Sequence, residues 1–348
     1  MVSILIIVLV GAGLVFLLSS PPPVQQAMSS KKVQYKEIVA PAGFINTNGE
    51  EIKIGDYVGK KIIVLDVMTY SCINCQRSFP YVTNWYEKYK DKGLIVIGIH
   101  TPEFAFEKDK KNVEKAMKEF GINFPVVLDN EYGTWNAYGN RYWPRKYLID
   151  INGNIVYDHI GEGAYEEIEM KIRELLQERT KLLGEKTKSE TEDALVSSKI
   201  PEQQIESGSP ETYFGFLRNE YLGNGIKGRS GLQTFTVPDV KNLNTLYLGG
   251  TWDIKAEHAE SVKESRVIYL YNAKKVYIVA SGTEPVNIEV WQDGALVETK
   301  AGEDVRKGIV TIQESKLYKL INNASPGEHT LELRIPGSGV MLFAFTFG

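Results

Sequence analysis

The chain has 348 residues, which is enough for two or three domains. Hydrophobic residues make up 43% of it and charged residues 24%, proportions that are typical of a globular protein. The formal net charge of −4 argues against a protein that acts mainly on nucleic acid, since such proteins carry a clear positive excess. We therefore predict no nucleic-acid partner.

Residues 2–18 are almost wholly apolar, and three prolines follow at 21–23. Such a run is at the short end of the roughly 17–25 residues that span a bilayer. Three interpretations are open: an uncleaved anchor, a cleaved signal peptide, and a buried core helix, which the polar, proline-rich stretch that follows disfavours. We predict a signal anchor or signal peptide with a single membrane span over residues 1–20, and a tether over 21–36. The rest of the chain would then lie outside the cytoplasm, in the cell envelope, although Lys31 and Lys32 run against the positive-inside rule.

Between residues 37 and 183 the pattern alternates between strands and helices. Apolar runs at 61–68, 94–100 and 125–128 predict buried strands. Asn152-Gly153, a strong turn dipeptide, predicts a hairpin of two further strands, at 146–150 and 154–160. Helices are predicted over 73–90, 112–120, 131–139 and 164–183. This alternation predicts a layered α/β domain over 37–183, with a mixed sheet flanked by helices.

The composition changes twice beyond this domain. Residues 184–211 are rich in Glu, Lys, Ser and Thr, which predicts a linker. From residue 212 to 348, short β-type runs are separated by Gly, Asn, Asp and Pro, a pattern that predicts an all-β jelly roll or sandwich. The strands are predicted at 232–237, 246–252, 267–271, 276–281, 286–291, 309–312, 317–321, 330–335 and 340–347.

The chain has two cysteines, Cys72 and Cys75, between a predicted strand and a predicted helix. A disulfide scaffold uses more cysteines, spread along the chain, and a structural zinc site usually needs four ligands. The four histidines show no ligand-like spacing. We therefore predict no metal and no bound cofactor, and interpret the pair as a redox-active dithiol. Two buried, inert cysteines are the alternative, which the strand, pair and helix order disfavours.

The position of each cysteine predicts its role. Disulfide exchange is carried out by a thiolate. Cys72 lies where the strand ends and the helix begins, so the helix dipole and free N–H groups would stabilise its thiolate. Cys75 lies one turn further on the same face, where it can resolve a mixed disulfide between Cys72 and a partner. Cys72 is therefore the predicted nucleophile and Cys75 the resolving thiol.

This arrangement resembles the thioredoxin superfamily. Asp66 lies six residues before Cys72, where thioredoxins place a buried carboxylate, and the resemblance implies that Asp66 accepts the proton of Cys75. The alternative is an aspartate that bonds to backbone at a strand end. Pro144 matches the family's cis-proline loop, which lies against the redox pair and pairs with substrate. An ordinary trans turn proline is the alternative there.

The resemblance narrows to the TlpA-like branch, which adds a helix and a strand between residues 100 and 128. Segments 68–75, 100–108, 135–144 and 248–254 are similar to the extracytoplasmic part of DipZ-type thiol–disulfide oxidoreductases. In that family a carbohydrate-binding-module-like β domain follows the thioredoxin domain, and the resemblance covers about residues 37–348. It implies disulfide-containing protein substrates and a glycan ligand of the β domain. DipZ-type proteins also carry a multi-helix membrane domain that transports electrons, whereas at most one span is predicted here. The resemblance therefore implies a separate membrane electron donor of the DsbD or CcdA kind.

The direction of electron flow follows from what stands between the cysteines. Ile73 and Asn74 replace the Gly-Pro of thioredoxins, and no histidine stands there as in the strongly oxidising DsbA type, so we expect a reductant of protein disulfides.

Two other functions remain open. A thiol peroxidase is favoured by Thr69-x-x-Cys72 but opposed by Leu65, where its signature has a proline. A glycan- or protein-binding envelope protein would use aromatic side chains such as Trp252 and Trp291 to stack on sugar rings, unless these are core residues.

Overall fold

The computed structural model describes residues 33–185, 194–201 and 207–348. The predicted membrane span and most of the predicted tether lie outside these residues. Within the described ranges, none of the helices is long and apolar enough to cross a membrane.

The α/β domain contains seven strands and four α-helices in the described part of the chain up to Gly184. The strands are β1 (Val33–Gln34), β2 (Gly43–Ile45), β3 (Ile62–Met68), β4 (Leu94–His100), β5 (Val126–Leu128), β6 (Arg145–Ile149) and β7 (Asn154–Ile160). The helices are α1 (Ile73–Tyr89), α2 (Lys110–Glu119), α3 (Gly133–Ala137) and α4 (Tyr165–Leu183). The strands and helices that the sequence pattern predicts from residue 61 to 183 are confirmed, with ends within about two residues, the usual scatter of helix and strand bounds.

The sheet of this domain is mixed, as predicted. Its strand order is β1-β7-β6-β3-β4-β5-β2, in which β3, β4 and β5 run parallel and the other pairs are antiparallel. Every residue of β3 and β4 is buried, which explains why these strands are apolar except for Asp66 and His100. The short strand β1 pairs with β7 and lies inside the stretch predicted as a tether, so the sheet begins before the predicted boundary at residue 37.

Helices and loops cover the two faces of the sheet. On one face, Val64 and Val96 pack with Phe79 of α1, Val113 of α2 and Ile172 of α4. On the opposite face, the intervening strand residues pack against the segment around Ile54 and against Trp135 of α3. The central strands are therefore shielded on both sides, and Cys72 follows the carboxyl end of β3.

The β domain consists of twelve strands that form one continuous hydrogen-bonded network in the described residues. Its long strand β11 pairs with three neighbours, β10, β18 and β19, so the network folds around a single apolar core that includes Trp252, Tyr269 and Phe345. The strands are β8 (Thr212–Tyr213), β9 (Gly231–Phe235), β10 (Thr245–Ile254), β11 (Ala259–Asn272), β12 (Lys275–Gly282), β13 (Val286–Gln292), β14 (Ala295–Leu296), β15 (Val305–Arg306), β16 (Ile309–Ile312), β17 (Lys316–Asn322), β18 (Glu328–Ile335) and β19 (Val340–Phe347).

Part of the predicted linker packs on the α/β domain. Glu169 of α4 accepts hydrogen bonds from the backbone amides of Val196 and Ser197, at 2.9 and 2.8 Å. The Ser197 hydroxyl in turn accepts from the indole of Trp85, at 2.8 Å. Residues 194–200 are thus held against α1 and α4, a contact that the polar composition of 184–211 does not reveal.

The α/β domain and the β domain share an apolar cluster. Ile73, the residue between the two cysteine positions that begins α1, packs with Phe104 and with Tyr277, Leu317 and Phe343 of the β domain. Polar contacts surround the cluster: Arg218 forms an ion pair with Glu103 at 2.8 Å, and the Tyr70 hydroxyl donates to the Ser315 carbonyl at 2.9 Å. Residues 33–348 accordingly form one compact unit.

Candidate active site

Cys72 and Cys75 are both free thiols in this structure, and they differ in exposure. Cys72 has extended backbone angles (φ −74°, ψ 119°) and caps the N-terminus of α1, where it is partly exposed. Cys75 lies one turn on and is fully buried. Burial, followed by its hydrogen bond to the Cys72 sulfur, raises the pKa of Cys75 well above its usual range. The accessible sulfur is therefore that of Cys72, while Cys75 is held as a thiol behind it.

Asp66 and Lys146 form a buried ion pair behind the cysteines. They stand opposite each other in the β3–β6 pair, both side chains are fully buried, and Lys146 Nζ lies 3.3 Å from Asp66 Oδ1. Neither group has a hydrogen-bond partner outside this pair among the described residues. Burial raises the pKa of Asp66, and the charge of Lys146 opposes that rise. The Asp66 charge also contributes to the raised pKa of Cys75, so the carboxylate lies within interaction range of that thiol.

Lys146 was not predicted as a site residue. It begins the predicted strand 146–150, which also contains Tyr147 and Asp150, so the local pattern does not mark it as buried. Its pairing with Asp66 depends on the antiparallel register of β3 and β6.

A buried carboxylate, Glu107, organises the loop that leads into Cys72. One of its oxygens accepts hydrogen bonds from the Thr69 hydroxyl and, at 2.7 Å, from the Ser71 hydroxyl. The other accepts from the backbone amides of Glu103 and Phe104, at 2.6 and 3.0 Å. Burial raises the pKa of Glu107, and these hydrogen bonds counteract the rise. No sequence signal marks this residue, because its polar surroundings resemble an exposed loop.

His100 is buried at the same edge of the sheet, opposite Met68 in the parallel β3–β4 pair. Its ring stacks on Tyr70, with 5.8 Å between the ring centroids, and its Nε2 lies 3.4 Å from the Thr69 hydroxyl. Burial lowers the pKa of His100 to about 3, so the ring is neutral at physiological pH. It therefore fills space beside the loop of residues 69–71, which leads into Cys72, without adding charge.

The Trp143–Pro144 peptide bond is cis, as the resemblance implies. Arg145 stands opposite Val67, so Pro144 lies beside the end of β3. The loop that leads to Cys72 begins at the same edge of the sheet. The Trp143 indole donates to the Thr101 carbonyl at 2.9 Å and packs on Trp135 with centroids 4.3 Å apart, which fixes the loop before the proline. The sheet thus brings Asp66, Pro144 and the two cysteines to one edge.

Arg77 extends the site towards the β domain. Its guanidinium binds both oxygens of Glu162, at 2.8 and 2.9 Å, and the Asn74 side chain at 2.8 Å. Although burial alone would lower the pKa of Arg77, Glu162 and more weakly Tyr277 and Cys72 raise it. Within the described residues no group of three or more His, Cys, Asp or Glu side chains is arranged to hold a metal ion.

Comparisons with known proteins assign this arrangement to a family. Residues 36–172 match the family model described as Redoxin, and residues 209–348 match that described as thioredoxin-like C-terminal domain. The thiol–disulfide oxidoreductase ResA of Geobacillus thermodenitrificans is 32% identical over 127 residues, which cover 36% of this chain and 70% of that protein. The chain belongs to the TlpA-like branch of the thioredoxin superfamily.

A second relative matches both domains of this TlpA-like chain. Protein DipZ of Mycobacterium tuberculosis is 36% identical over 310 residues, which cover 88% of this chain. The chain spans 41% of the length of that relative. Among solved structures, a thiol:disulfide interchange protein DsbE of Chlorobium tepidum matches with 26% identity and a TM-score of 0.37, over 42% of this chain and 96% of that one.

The two tryptophans considered for sugar stacking differ in exposure. Trp252 is fully buried, and its indole donates to the Gly249 carbonyl at 3.0 Å, so it belongs to the core of the β domain and offers no stacking surface. Trp291 is partly exposed, but the guanidinium of Arg334 lies 4.0 Å from its ring centroid. Trp252 is therefore a core residue, which is the interpretation left open beside sugar stacking.

Proposed function

We propose that this protein is a thiol–disulfide oxidoreductase that reduces protein disulfides through Cys72 and Cys75. The observation that carries the proposal is the contrast between the two sulfurs: a partly exposed Cys72 at the N-terminus of α1, and a buried, protonated Cys75 hydrogen-bonded to it. Only an exposed sulfur can reach a disulfide on another protein, and only a sulfur behind it can displace that partner.

The reaction has two steps. The Cys72 thiolate attacks one sulfur of the substrate disulfide, which forms a mixed disulfide and releases the other substrate sulfur as a thiolate. Cys75 then gives its proton to Asp66 and attacks the Cys72 sulfur, so that the Cys72–Cys75 disulfide forms and the second substrate thiol leaves. Two electrons pass from the protein to the substrate. In this scheme the backbone before Pro144, beside the same edge, pairs with the substrate backbone.

The setting of this activity is also part of the proposal. The apolar run at 1–20 would anchor the chain with residues 37–348 on the extracytoplasmic side. A membrane electron donor of the DsbD or CcdA kind would then reduce the Cys72–Cys75 disulfide again. The β domain would be a carbohydrate-binding-module-like jelly roll that positions the redox domain, with an envelope glycan as its ligand.

A titration of the full chain against glutathione redox buffers tests the function. Because Cys72 and Cys75 are the only cysteines in the sequence, thiol labelling reports their disulfide directly. We expect one reversible two-electron transition near the thioredoxin range, about −270 mV. A potential near that of DsbA, about −120 mV, would make the protein an oxidant instead. The Cys75→Ser variant is the matched control, and should accumulate a mixed disulfide on Cys72; absence of any reversible disulfide in the wild type would refute the proposal.

One contact bears on the peroxidase alternative. The Thr69 hydroxyl, part of the Thr69-x-x-Cys72 pattern that favours it, donates to the carboxylate of Glu107 and so helps to order the loop before Cys72. Rapid consumption of hydrogen peroxide by the purified protein would be needed to restore this alternative.

A further inference from the structure

A cleft of about 930 Å³ separates the first half of α1 from the β domain. Ile73 and Gln76 line it on one side, in the turn directly after Cys72, and Lys275, Tyr277 and Arg306 line it on the other. This volume is in the range of sites that enclose whole ligands. The cleft thus begins at Ile73, the residue next to Cys72, and is completed by the β domain.

The walls of the cleft are fixed by packing and by charge pairs. Ile73 and Tyr277 belong to the apolar cluster shared by the two domains. Arg77 is held by Glu162 at 2.8 Å and also hydrogen-bonds to Tyr277. A substrate segment that enters the cleft therefore meets a surface already in place, which lowers the entropic cost of binding.

The cleft carries an excess of positive charge. The carboxylates that line it are already engaged: Glu162 pairs with Arg77, and Glu303 pairs with Lys319 at 2.6 Å. Lys275 and Arg306 have no carboxylate partner among the described residues; the only side-chain bond of Arg306 found there is to the Val305 carbonyl. Burial, and then repulsion from Arg77, Lys274 and Lys319, lowers the pKa of Lys275, and the charge of Glu303 only partly opposes this shift.

We propose that this cleft binds the polypeptide segment next to the disulfide of the substrate protein and selects segments that carry Asp or Glu. Lys275 and Arg306 of the β domain supply the charge, and the cleft places the bound segment beside Cys72. The proposal rests on the proposed function and names the class of substrate for that site. It gives the β domain a direct part in choosing substrates.

Peptide disulfides test the proposal on the full-length, reduced protein. Three disulfide-linked peptide dimers of equal length carry Glu, Gln or Lys at matched positions beside a single cysteine. For each dimer, one peptide disulfide is reduced as one Cys72–Cys75 disulfide forms, and thiol labelling gives the rate. We expect the Glu dimer to react about 10-fold faster than the Gln dimer at low salt, with the difference shrinking at high salt.

Charge reversal locates the effect. In Lys275→Glu/Arg306→Glu we expect the Glu-to-Gln rate ratio to fall to about 1 or below, since the attraction becomes repulsion. Arg229→Glu/Lys263→Glu is the matched control, because it changes the net charge equally at exposed positions that do not line the cleft. Its ratio should stay at the wild-type value. The neutral pair Lys275→Gln/Arg306→Gln, checked for cooperative unfolding, replaces the reversal variant if that one fails to fold.

The outcomes distinguish failure of the cleft proposal from failure of the proposed oxidoreductase function. Equal rates for all three dimers with the wild type, or an equal drop of the ratio in the cleft and control variants, would overturn the cleft proposal while the oxidoreductase function stands. A preference of the same size for 3,3′-dithiodipropionate over cystamine, with none among peptides, would assign the cleft to small anions and also overturn it. Failure to reduce any dimer would instead count against the proposed function itself.

Discussion

The two domains bury different kinds of polar side chain. In the described residues, every charged side chain that is buried lies in the α/β domain, namely Asp66, Arg77, Glu107, Asp129, Lys146, Asp150 and Glu169. The β domain buries only neutral polar groups, such as Thr212, Ser261 and Asn323. Because a buried charge is costly unless it is paired or hydrogen-bonded, the α/β domain must supply a partner for each of these side chains.

Within the α/β domain, most of these charges have structural partners. Asp129, for example, accepts from the amides of Thr134 and Trp135, both at 2.9 Å. Asp150, Glu169 and Glu107 likewise bind backbone amides, and Arg77 binds Glu162. Asp66 and Lys146 have only each other. The free-energy cost of burying this pair is therefore not offset by hydrogen bonds to other groups in the described part of the chain.

The largest effect is expected from removal of one ion of this pair. Lys146→Met leaves the Asp66 carboxylate buried without a cation, which should lower the free energy of unfolding by about 3–5 kcal/mol near pH 8. The raised pKa of Asp66 means that protonation relieves this cost, so the loss should shrink as the pH falls. Urea denaturation over a pH series measures both effects.

Two controls accompany this variant. Asp66→Asn/Lys146→Met removes both charges and should recover most of the loss. Leu333→Ala in the β-domain core should cost about 2–5 kcal/mol at every pH, since a cavity has no charge to titrate. If Lys146→Met is as stable as the wild type at high pH, the pair is not charged and the contrast between the domains fails.

The second effect concerns the rate of the resolving step. Asp66→Asn removes the proposed proton acceptor of Cys75, and should slow the decay of the mixed disulfide about 10²-fold. In the wild type, the rate should rise with pH as Asp66 ionises, over a range shifted above that of an ordinary carboxyl group because its pKa is raised. Rapid-quench thiol labelling across pH measures this step.

Asp150→Asn is the matched control for this prediction, because Asp150 is also buried but binds the turn amides of Asn152 and Asn154. It should lose stability and keep the wild-type pH profile. An unchanged profile in Asp66→Asn would remove Asp66 from the mechanism.

The smallest effect near neutral pH is expected from a buried histidine. The pKa of His100 is lowered to about 3, so below about pH 6.5 the unfolded chain binds a proton that the folded chain does not. The contribution of His100 to the free energy of unfolding is then fully present above that pH. It is lost as the pH falls towards 3, by about 1.4 kcal/mol per pH unit. His100→Phe should lack this part of the slope in urea denaturation, whereas His329→Phe, on the β domain, should retain it. Equal slopes in the wild type and His100→Phe would contradict the assignment.

Strong local patterns account for what could be predicted of the fold. Strand β4 is a nearly continuous apolar run, β7 follows the Asn152-Gly153 turn, and α4 is amphipathic. Their bounds agree with prediction to within about one residue. The two-residue strands β1, β8, β14 and β15 and the three-residue strand β2 were not predicted, because so few residues carry no period. Their pairing is decided by distant parts of the chain.

By itself, the sequence determined that the two cysteines follow a strand, that Cys72 caps a helix, and that Asp66 is an ionisable residue in an otherwise apolar strand. All of these depend on neighbours close in the chain. The tertiary structure decided that Asp66 faces Lys146, that Glu107 binds the loop before Cys72, and that Lys275 and Tyr277 stand across a cleft from Ile73. The physical reason is that strand register and domain docking follow from the burial of whole faces, which no short segment encodes.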